Sequence, residues 1–352
     1  MTRLIAPCVL VVHYIAVIVL VLAYFADGQT VSHAQNHLSA QAHAGTRQHD
    51  HRRSQSAHAV DDMPLGAIFM LVSDWRTLRF GRHCYFNLSM DALASKWRPH
   101  NPHPIILMDT KPWERRDMVD IRRTWSTLDF KFINIARVWN GSPRIPESSL
   151  EDAAKPISTI NYKRMCHFFF KGFTEIPLLM EYKYLLRVDD DTCIHDHINF
   201  DIFQRMNQKR AAYAYSHAWY DSPQVTNGLY DFAAKYAASN HFTWKNEELH
   251  NQTVSAKNFP RDMPSFNTNF EVINTVRYRE PAVMQFVDAV VASNMIYHRR
   301  WGDAPLRYVT AMLFWTEREM LRLEGFELQH SAWRTFAMAE HPDSNNPLVE
   351  FQ

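Results

Sequence analysis

The stretch YKYLLRVDDDTCIHD (residues 182–196) joins a mostly apolar, strand-like run to three consecutive carboxylates, Asp189, Asp190 and Asp191. Like charges at adjacent positions repel each other, so an acidic run directly after a buried strand must be solvated, paired or neutralised. A solvated turn is one interpretation, because aspartate is common in turns. A cation site is the other, because open α/β sheets bind their ligands at the carboxyl ends of their strands.

Short apolar runs elsewhere in the chain predict further strands of the same sheet. GAIFMLV (66–72), HPIILMD (103–109) and FKFINIA (130–136) have the length and composition of strands, and helix-like sequence at 76–97 separates the first two. Strands that alternate with helices indicate an α/β sheet, largely parallel. The strand predicted at 182–188 ends where a ligand crevice is expected, which favours the cation site over the plain turn.

Composition and charge indicate a globular chain without a general attraction for nucleic acid. The 352 residues are 46% hydrophobic and 13% aromatic, which suffices for a large core in one or two domains. The 38 basic and 37 acidic side chains give a net charge of +1, so any anionic ligand must be bound by a local site. The sequence contains no Walker loop and no G-x-G-x-x-G motif, so a nucleotide would bind by other means.

The N-terminal sequence predicts a membrane anchor followed by a stem. Residues 4–25 carry no formal charge and are long enough to cross the ~30 Å hydrocarbon core as a helix. A cleaved signal peptide is the alternative, but the apolar segment is longer than usual and lacks a clean A-x-A site. Arg3 before the segment places residues 1–3 in the cytosol and the bulk of the chain in a lumenal or extracellular space. Residues 26–62 are polar and predict a flexible stem, which leaves 63–352 as one folded domain.

Cysteines and glycosylation sequons agree with a secretory compartment. Three cysteines beyond the predicted anchor allow at most one internal disulfide, which excludes a disulfide scaffold and a cysteine-rich zinc module. They are Cys84, Cys166 and Cys193, and Cys8 lies inside the anchor. Sequons begin at Asn87, Asn140 and Asn251, and glycosylation at such sites occurs in secreted proteins.

Five motifs follow one another in an order that is typical of one enzyme family. They are NYKRMCHFF (161–169), RVDDD (187–191), INFDIF (198–203), NFEVIN (269–274) and RWGDAP (300–305). With them the chain resembles the fungal-type α-1,2-mannosyltransferases of glycosyltransferase family 15, Golgi enzymes that extend mannose chains on glycoproteins. The family pattern is Y-x-x-M-C-x-F, R-V-E-P-D, I-N-Y-D-V-F, N-F-E-I and E-R-W-G-D-A-P. The resemblance implies a GT-A type nucleotide-diphospho-sugar transferase fold, a single mixed, mostly parallel sheet flanked by helices, with 63–352 as the catalytic domain.

The resemblance further implies a donor, a cation and residue roles. The donor would be GDP-mannose and the cation Mn²⁺. Asp189 would bind the metal with Asp191 assisting directly or through water, and His330 would be a further metal ligand. The nucleotide pocket would involve Tyr162, Arg187, Asp189 and Asp191. The catalytic residues would be Glu271, which matches the proposed nucleophile of the family, and Asp303, which matches the aspartate of R-W-G-D.

Simple chemistry is consistent with these implied roles. A GDP leaving group carries two phosphates, and a hard cation held by carboxylate oxygen and imidazole can bridge them as charge builds up. Arg187 would add a fixed positive charge nearby. An α-linked donor that gives an α-linked product requires net retention, so Glu271 would either form a covalent glycosyl intermediate or stabilise an oxocarbenium-like state during attack from the same face.

Structural roles and departures from the family pattern stand beside this interpretation. Glu271 is alternatively an ion-pair partner, Asp303 a helix N-cap and His330 a surface histidine. Asp189 is one methylene shorter than the family's glutamate, and Asp190 replaces its proline, which alters the geometry of a metal site. The sequence after His330 lacks the family's Cys-Pro ending, which leaves the preferred nucleotide base open.

The function implied is a single-pass type II Golgi membrane α-1,2-mannosyltransferase whose catalytic domain is lumenal. It would transfer mannose with retention to a mannosylated glycan of a glycoprotein or glycolipid, and it would bind no nucleic acid. The alternatives are a transferase of the same fold that uses another nucleotide sugar and a catalytically silent glycan-binding relative. A silent binder has no need for a metal site opposed by a second carboxylate.

Overall fold

The computed structural model describes residues 63–72, 85–141, 159–260 and 263–330 of the chain, with only the backbone of His330. These ranges belong to a compact unit that begins at Met63. The predicted anchor at 4–25 and the predicted stem at 26–62 lie outside the described residues. No helix within the described ranges is both long enough and apolar enough to cross a membrane.

The strands of the described ranges include both long central strands and short pairs near the site. They are β1 Gly66–Leu71, β2 Ile105–Asp109, β3 Phe130–Asn134, β4 Tyr184–Val188, β5 Thr192–Ile194, β6 Tyr213–Tyr215, β7 Ala218–Asp221, β8 Met263–Phe266, β9 Phe270–Asn274, β10 Met320–Arg322 and β11 Leu328–His330. The apolar runs predicted as the first three strands are β1, β2 and β3. The fourth predicted strand, β4, starts two residues later than expected because a 3-10 turn at Leu179–Glu181 precedes it.

Helices cover the sheet and connect its strands. The α-helices of the described ranges are α1 Tyr85–Ala92, α2 Arg115–Thr124, α3 Ala136–Asn140, α4 Ile160–Phe170, α5 Ile202–Lys209, α6 Pro223–Thr226, α7 Leu229–Ser239, α8 Glu247–Val254, α9 Thr275–Tyr278, α10 Pro281–Ser293, α11 Met295–His298 and α12 Asp303–Phe314. Helix α1 continues as a π-helical turn at Leu93–Trp97. The helix expected at 76–97 is therefore present in its described part.

The central sheet has seven strands in the order β10-β6-β9-β4-β1-β2-β3. Strands β4, β1, β2 and β3 run parallel to one another, and β10 runs parallel to β6, while β9 is antiparallel to both β4 and β6. The prediction of a mixed, mostly parallel sheet flanked by helices is confirmed. The pairing of β4 with β9 sets Arg187 opposite Glu271, which brings two of the predicted site motifs together.

Burial on both faces explains why the central strands are continuous apolar runs. In β1, Ala67 and Phe69 belong to the core on one face, and Ile68 and Met70 belong to the core on the other. A β-carbon on Gly66 would lie 2.4 Å from the ring of Phe203. Glycine is therefore required where α5 approaches the start of β1.

Two small antiparallel ribbons lie beside the main sheet. Strand β5 pairs with β11, and this pairing sets His330 opposite Thr192. Strand β7 pairs with β8, and there Trp219 lies opposite Ser265. Both ribbons include residues next to the predicted site motifs.

Candidate functional site

The acidic triplet forms a tight turn whose first carboxylate is paired with an arginine. The backbone N–H of Thr192 donates to the carbonyl of Asp189 at 3.0 Å, which closes the turn between β4 and β5. Arg187 donates from Nε to Oδ1 of Asp189 at 2.8 Å and from Nη2 to Oδ2 at 3.2 Å. The triplet thus sits in a turn, as one interpretation of the sequence expected, but Asp189 is ion-paired rather than merely solvated.

Arg187 joins three of the predicted acidic site residues. Its buried guanidinium also donates to Asp303 and lies 3.8 Å from Oε1 of Glu271. The guanidinium packs over the ring of Phe169 at 3.5 Å from the ring centroid, a cation–π contact that holds the arginine in place. Motifs from β4, β9 and the start of α12 therefore meet around one side chain.

Glu271 is fully buried, and its two carboxylate oxygens differ. Oε2 accepts hydrogen bonds from the hydroxyl of Tyr213 at 2.6 Å and from Nε of Arg307 at 3.1 Å. Oε1 accepts no hydrogen bond from the part of the chain that the structure describes. Burial raises the pKa of Glu271, although Arg307 and Arg187 oppose the shift. The carboxylate is thus anchored through one oxygen and has the other without a hydrogen bond.

Asp303 is the first residue of α12, and the N-cap position belongs to Gly302. The hydroxyl of Thr268 donates to Oδ2 of Asp303 at 3.3 Å. Burial alone would raise the pKa of Asp303, but the adjacent Arg187 outweighs burial and lowers it. Asp303 is therefore an ionised partner of Arg187 at neutral pH, and the alternative role of helix N-cap is not the one observed.

Asp189 has the opposite balance of burial and charge. Burial raises its pKa, and Asp191 and Asp303 add to the increase, despite the ion pair with Arg187.

The charged cluster consists of three carboxylates and two guanidiniums, all buried or partly buried: Asp189, Glu271, Asp303, Arg187 and Arg307. When all are ionised, the cluster keeps an excess negative charge, which favours a cation or a proton nearby.

Tyr162 lies at the edge of the same cluster, on α4. Cys166 follows it by one helical turn, and its thiol is buried. Burial raises the pKa of Cys166, and the nearby Asp303 adds to the increase. The pKa of Tyr162 is raised by Cys166, by burial and by Asp303. The guanidinium of Arg300 lies over the Tyr162 ring, 5.4 Å from its centroid. Tyr162 is therefore near Asp303, and its role in a nucleotide pocket stays a prediction.

The backbone of His330 lies next to the acidic turn. Its partner across the ribbon is Thr192, the residue that follows Asp191. The side chain of His330 lies outside the described part of the structure. Among the side chains that are described, no three His, Cys, Asp or Glu groups are arranged to hold a metal ion. The ligand set of Asp189, Asp191 and His330 stays a prediction. The structure places the backbone of His330 beside the acidic turn that contains the two aspartates.

The sequence did not point to several residues that complete the cluster. Arg307 follows Asp303 by one helical turn and lies two positions after the last residue of R-W-G-D-A-P, so its position on the same face of α12 was a signal that could have been used. Cys166 is part of the Y-x-x-M-C-x-F match and follows Tyr162 by one turn. Tyr213 lies in the run AAYAYS, which has no feature that distinguishes a site residue from a core residue.

Comparison with known proteins identifies a family along most of the chain. The family model described as glycolipid 2-alpha-mannosyltransferase matches residues 89–338. The probable mannosyltransferase KTR4 of Saccharomyces cerevisiae is 30% identical over 166 residues, which cover 44% of this chain and 35% of that protein. The glycolipid 2-alpha-mannosyltransferase of the same yeast is 22% identical over 234 residues, which cover 64% of this chain and 53% of that protein. The matched segments thus span between about a third and a half of these relatives.

Two solved structures share the fold. Core-mannan synthase A from Aspergillus fumigatus, in its Mn/GDP form, superposes with a TM-score of 0.66 at 18% identity, covering 77% of this chain and 79% of that one. The mannosyltransferase Ktr4p from S. cerevisiae superposes with a TM-score of 0.64 at 22% identity, covering 76% and 70%. The prediction of a GT-A type fold is confirmed by these superpositions.

Proposed function

Because the chain belongs to the glycolipid 2-alpha-mannosyltransferase family, we propose that it is a glycosyltransferase that moves mannose from GDP-mannose, with retention, to a mannose-containing glycan. The proposal is carried by one observation, the convergence of Asp189, Asp303 and Glu271 on the buried Arg187. Burying this many charges costs free energy of folding, and such clusters are typical of functional sites.

The acidic turn suits a divalent cation. The carboxylate of Asp189 is oriented by two hydrogen bonds from Arg187 and keeps 20% of its side chain exposed. Carboxylate oxygen and imidazole nitrogen are donors that Mn²⁺ accepts. We propose that Asp189, Asp191 and His330 hold the ion, since the β5–β11 pairing brings the backbone of His330 beside the turn. When bound, the cation would neutralise the charge that develops on the diphosphate.

Arg187 orients the acidic residues rather than acting alone. It binds Asp189, the proposed cation ligand, through Nε, and it contacts Asp303 and Glu271 through Nη1. This buried guanidinium stays charged, because its ordinary pKa is already far above neutral. Burial lowers the pKa of Arg187, but the three carboxylates outweigh burial and raise it. Arg187 therefore supplies a permanent positive charge at the carboxyl end of β4, where the diphosphate of the donor is expected.

Glu271 presents one oxygen for chemistry. Tyr213 and Arg307 hold Oε2, so the carboxylate cannot rotate without breaking two hydrogen bonds. Oε1 is then the atom that faces the donor sugar, either to attack its anomeric carbon or to stabilise positive charge on the ring. Because Glu271 has no exposed surface in this structure, the sugar reaches Oε1 only after a local opening of the cluster.

The test is transfer by purified protein from a panel of nucleotide sugars to methyl α-mannoside, with and without Mn²⁺. We expect GDP-mannose to be used at least tenfold better than UDP-glucose and UDP-galactose, and linkage analysis to give an α-1,2 product. Asp189→Asn should weaken the response to Mn²⁺, while Asp120→Asn, which changes a partly exposed acid that is ion-paired with Arg123 outside the cluster, serves as the matched control. Preference for another nucleotide sugar would show that GDP-mannose is not the donor. Absence of both transfer and donor hydrolysis would refute the assignment as an enzyme.

We further propose a single-pass type II Golgi membrane protein with the catalytic domain in the lumen. The proposal is supported by the charge-free segment at 4–25 and by the sequons beyond it. Protease protection on sealed microsomes tests it. A protected C-terminal tag and glycosidase-sensitive mass are expected, and digestion of the tag without detergent would contradict the topology.

A further inference from the structure

Trp219 is an exposed indole on the β7–β8 ribbon. Its side chain is 36% exposed, and that of its neighbour Tyr220 is 38% exposed. The other large hydrophobic side chains of similar exposure in the described ranges are aliphatic, namely Leu88, Val119 and Val254. A pair of exposed aromatic residues on one short strand is a frequent feature of binding surfaces.

Strand alternation separates the two aromatic residues. Successive side chains of a strand point to opposite faces, so Trp219 shares a face with His217 and Asp221, while Tyr220 lies on the other. The ring of His217 contacts the Trp219 indole with 5.9 Å between centroids, in agreement with this assignment. We call the set His217, Trp219 and Asp221 the ribbon face.

The ribbon face leads directly to the charged cluster. Asp221, at its inner end, is close enough to Asp303 and Arg300 for both to affect its pKa, which burial raises. At the other end, His217 Nε2 lies 2.9 Å from the amide of Asn267, and the next residue, Thr268, donates to Asp303. A series of contacts therefore leads from Asp303 through Thr268 and Asn267 to His217 and the Trp219 indole.

The charge of the ribbon face selects the class of ligand. The face carries one carboxylate, Asp221, and no cation of its own, so it lacks the positive charge that the diphosphate of the donor requires. Burial, followed by Arg322, lowers the pKa of His217, which keeps the imidazole neutral at pH 7. An indole flanked by a carboxylate and a neutral imidazole suits a neutral sugar, which has an apolar ring face and a rim of hydroxyl groups.

We propose that the ribbon face binds the acceptor mannose, with the sugar ring packed on the Trp219 indole and a sugar hydroxyl donating to Asp221. This assignment rests on the proposed mannosyl transfer and names the acceptor side of the same site. Trp219 is then a binding residue that sets acceptor affinity without taking part in bond formation.

The test compares Trp219→Ala and Trp219→Phe with Tyr220→Ala, a matched control on the same strand and the opposite face. The assay measures transfer to methyl α-mannoside, donor hydrolysis in its absence, and binding of methyl α-mannoside by saturation-transfer NMR without donor. Loss of the indole should raise the acceptor KM about tenfold, and Trp219→Phe should raise it less because a smaller ring remains. The ratio of transfer to hydrolysis at low acceptor should fall in parallel, and Tyr220→Ala should keep the parental KM.

The readouts separate this proposal from the proposed function. If the parent binds methyl α-mannoside and Trp219→Ala loses that signal, the acceptor surface is supported even when GDP-mannose proves to be the wrong donor. If Trp219→Ala retains the parental KM and the parental NMR signal, or if Tyr220→Ala weakens binding equally, the ribbon face is not the acceptor surface. Thermal melting of each variant establishes that a change in binding does not arise from unfolding.

Discussion

Replacing Arg307 with methionine should destabilise the protein far more than removing a surface arginine. The Arg307 side chain is fully buried, donates to Oε2 of Glu271 at 3.1 Å and to the carbonyl of Phe169 at 2.8 Å, and packs over the Tyr278 ring at 4.6 Å. Methionine has a similar length and fills the space, but it provides neither the charge nor the donors. Glu271 would keep the Tyr213 hydroxyl and the more distant Arg187 as its stabilising neighbours.

The expected magnitude follows from the environment of the pair. Removal of one member of a buried ion pair costs about 3–5 kcal/mol, because an uncompensated charge remains buried. Replacing both members costs much less, because the remaining charge is also removed. We therefore expect Arg307→Met to lower the free energy of unfolding by about 4 kcal/mol, and Arg307→Met combined with Glu271→Gln to recover about 2 kcal/mol of that loss.

Urea unfolding of the parent, the two single variants and the double variant gives this coupling as a double-mutant cycle. The matched control is Arg123→Met, which removes an exposed arginine from its ion pair with Asp120 at 2.7 Å. Exposed pairs contribute about 0–1 kcal/mol, so the control should remain close to the parent. Additivity of the Arg307 and Glu271 substitutions within about 0.5 kcal/mol would refute the reasoning, because it would mean that the two side chains do not interact in the folded state.

Three further predictions concern the site and the pH dependence of stability. Asp189→Ala and His330→Ala should each lower turnover about 100-fold and weaken the Mn²⁺ dependence, since loss of a ligand weakens cation binding; a Mn²⁺ titration with unchanged midpoint would contradict the ligand assignment. Glu271→Gln should keep GDP-mannose binding but lower mannose transfer by about 1,000-fold or more, because it removes the charge and preserves the size; parental transfer would leave Glu271 as a structural residue. Burial, with Lys171, lowers the pKa of His167 from 6.5 to about 4, so the folded state binds fewer protons than the unfolded state and stability is lost as pH falls below 6.5. Between pH 7 and pH 4.5 the parent should lose about 2 kcal/mol more than His167→Gln, and equal losses in urea unfolding would show that His167 is not buried in its neutral form.

The sheet was accessible to sequence reasoning because its central strands are buried on both faces. Such strands have to be continuous apolar runs, and β1 and β2 were visible for that reason. Strand β3 is a partly buried edge strand, and it was visible from the apolar residues of its run FKFIN. The antiparallel insertion of β9 between β4 and β6 was not, because the apolar pattern of a strand does not specify its neighbours. The resemblance supplied the order of the motifs, but no pattern in the sequence states that Arg187 lies opposite Glu271.

The site was predictable where one motif contains both partners and unpredictable where partners come from distant segments. Arg187 and Asp189 are two residues apart, so their ion pair follows from the motif itself. The anchoring of Glu271 by Tyr213 joins positions 58 residues apart, and Tyr213 has no chemistry that distinguishes it from a core tyrosine. Physical contact across a sheet is decided by the register, which the local sequence does not contain.

The distribution of the cluster along the chain constrains how it is made on the ribosome. Arg187 and Asp303 are 116 positions apart, so closing that loop costs about 4 kcal/mol of chain entropy beyond a constant term. In a nascent chain that has emerged only as far as the acidic turn, Arg187 has Asp189 nearby but lacks Glu271 and Asp303. Strand β5 lacks its partner β11 until the segment through His330 has left the exit tunnel. Contacts of such high sequence separation form slowly. We therefore expect the donor site to be the last part of the molecule to fold. Arrested chains that end before α12 should depend on chaperones, because Arg187 of β4 lacks Asp303 in such chains.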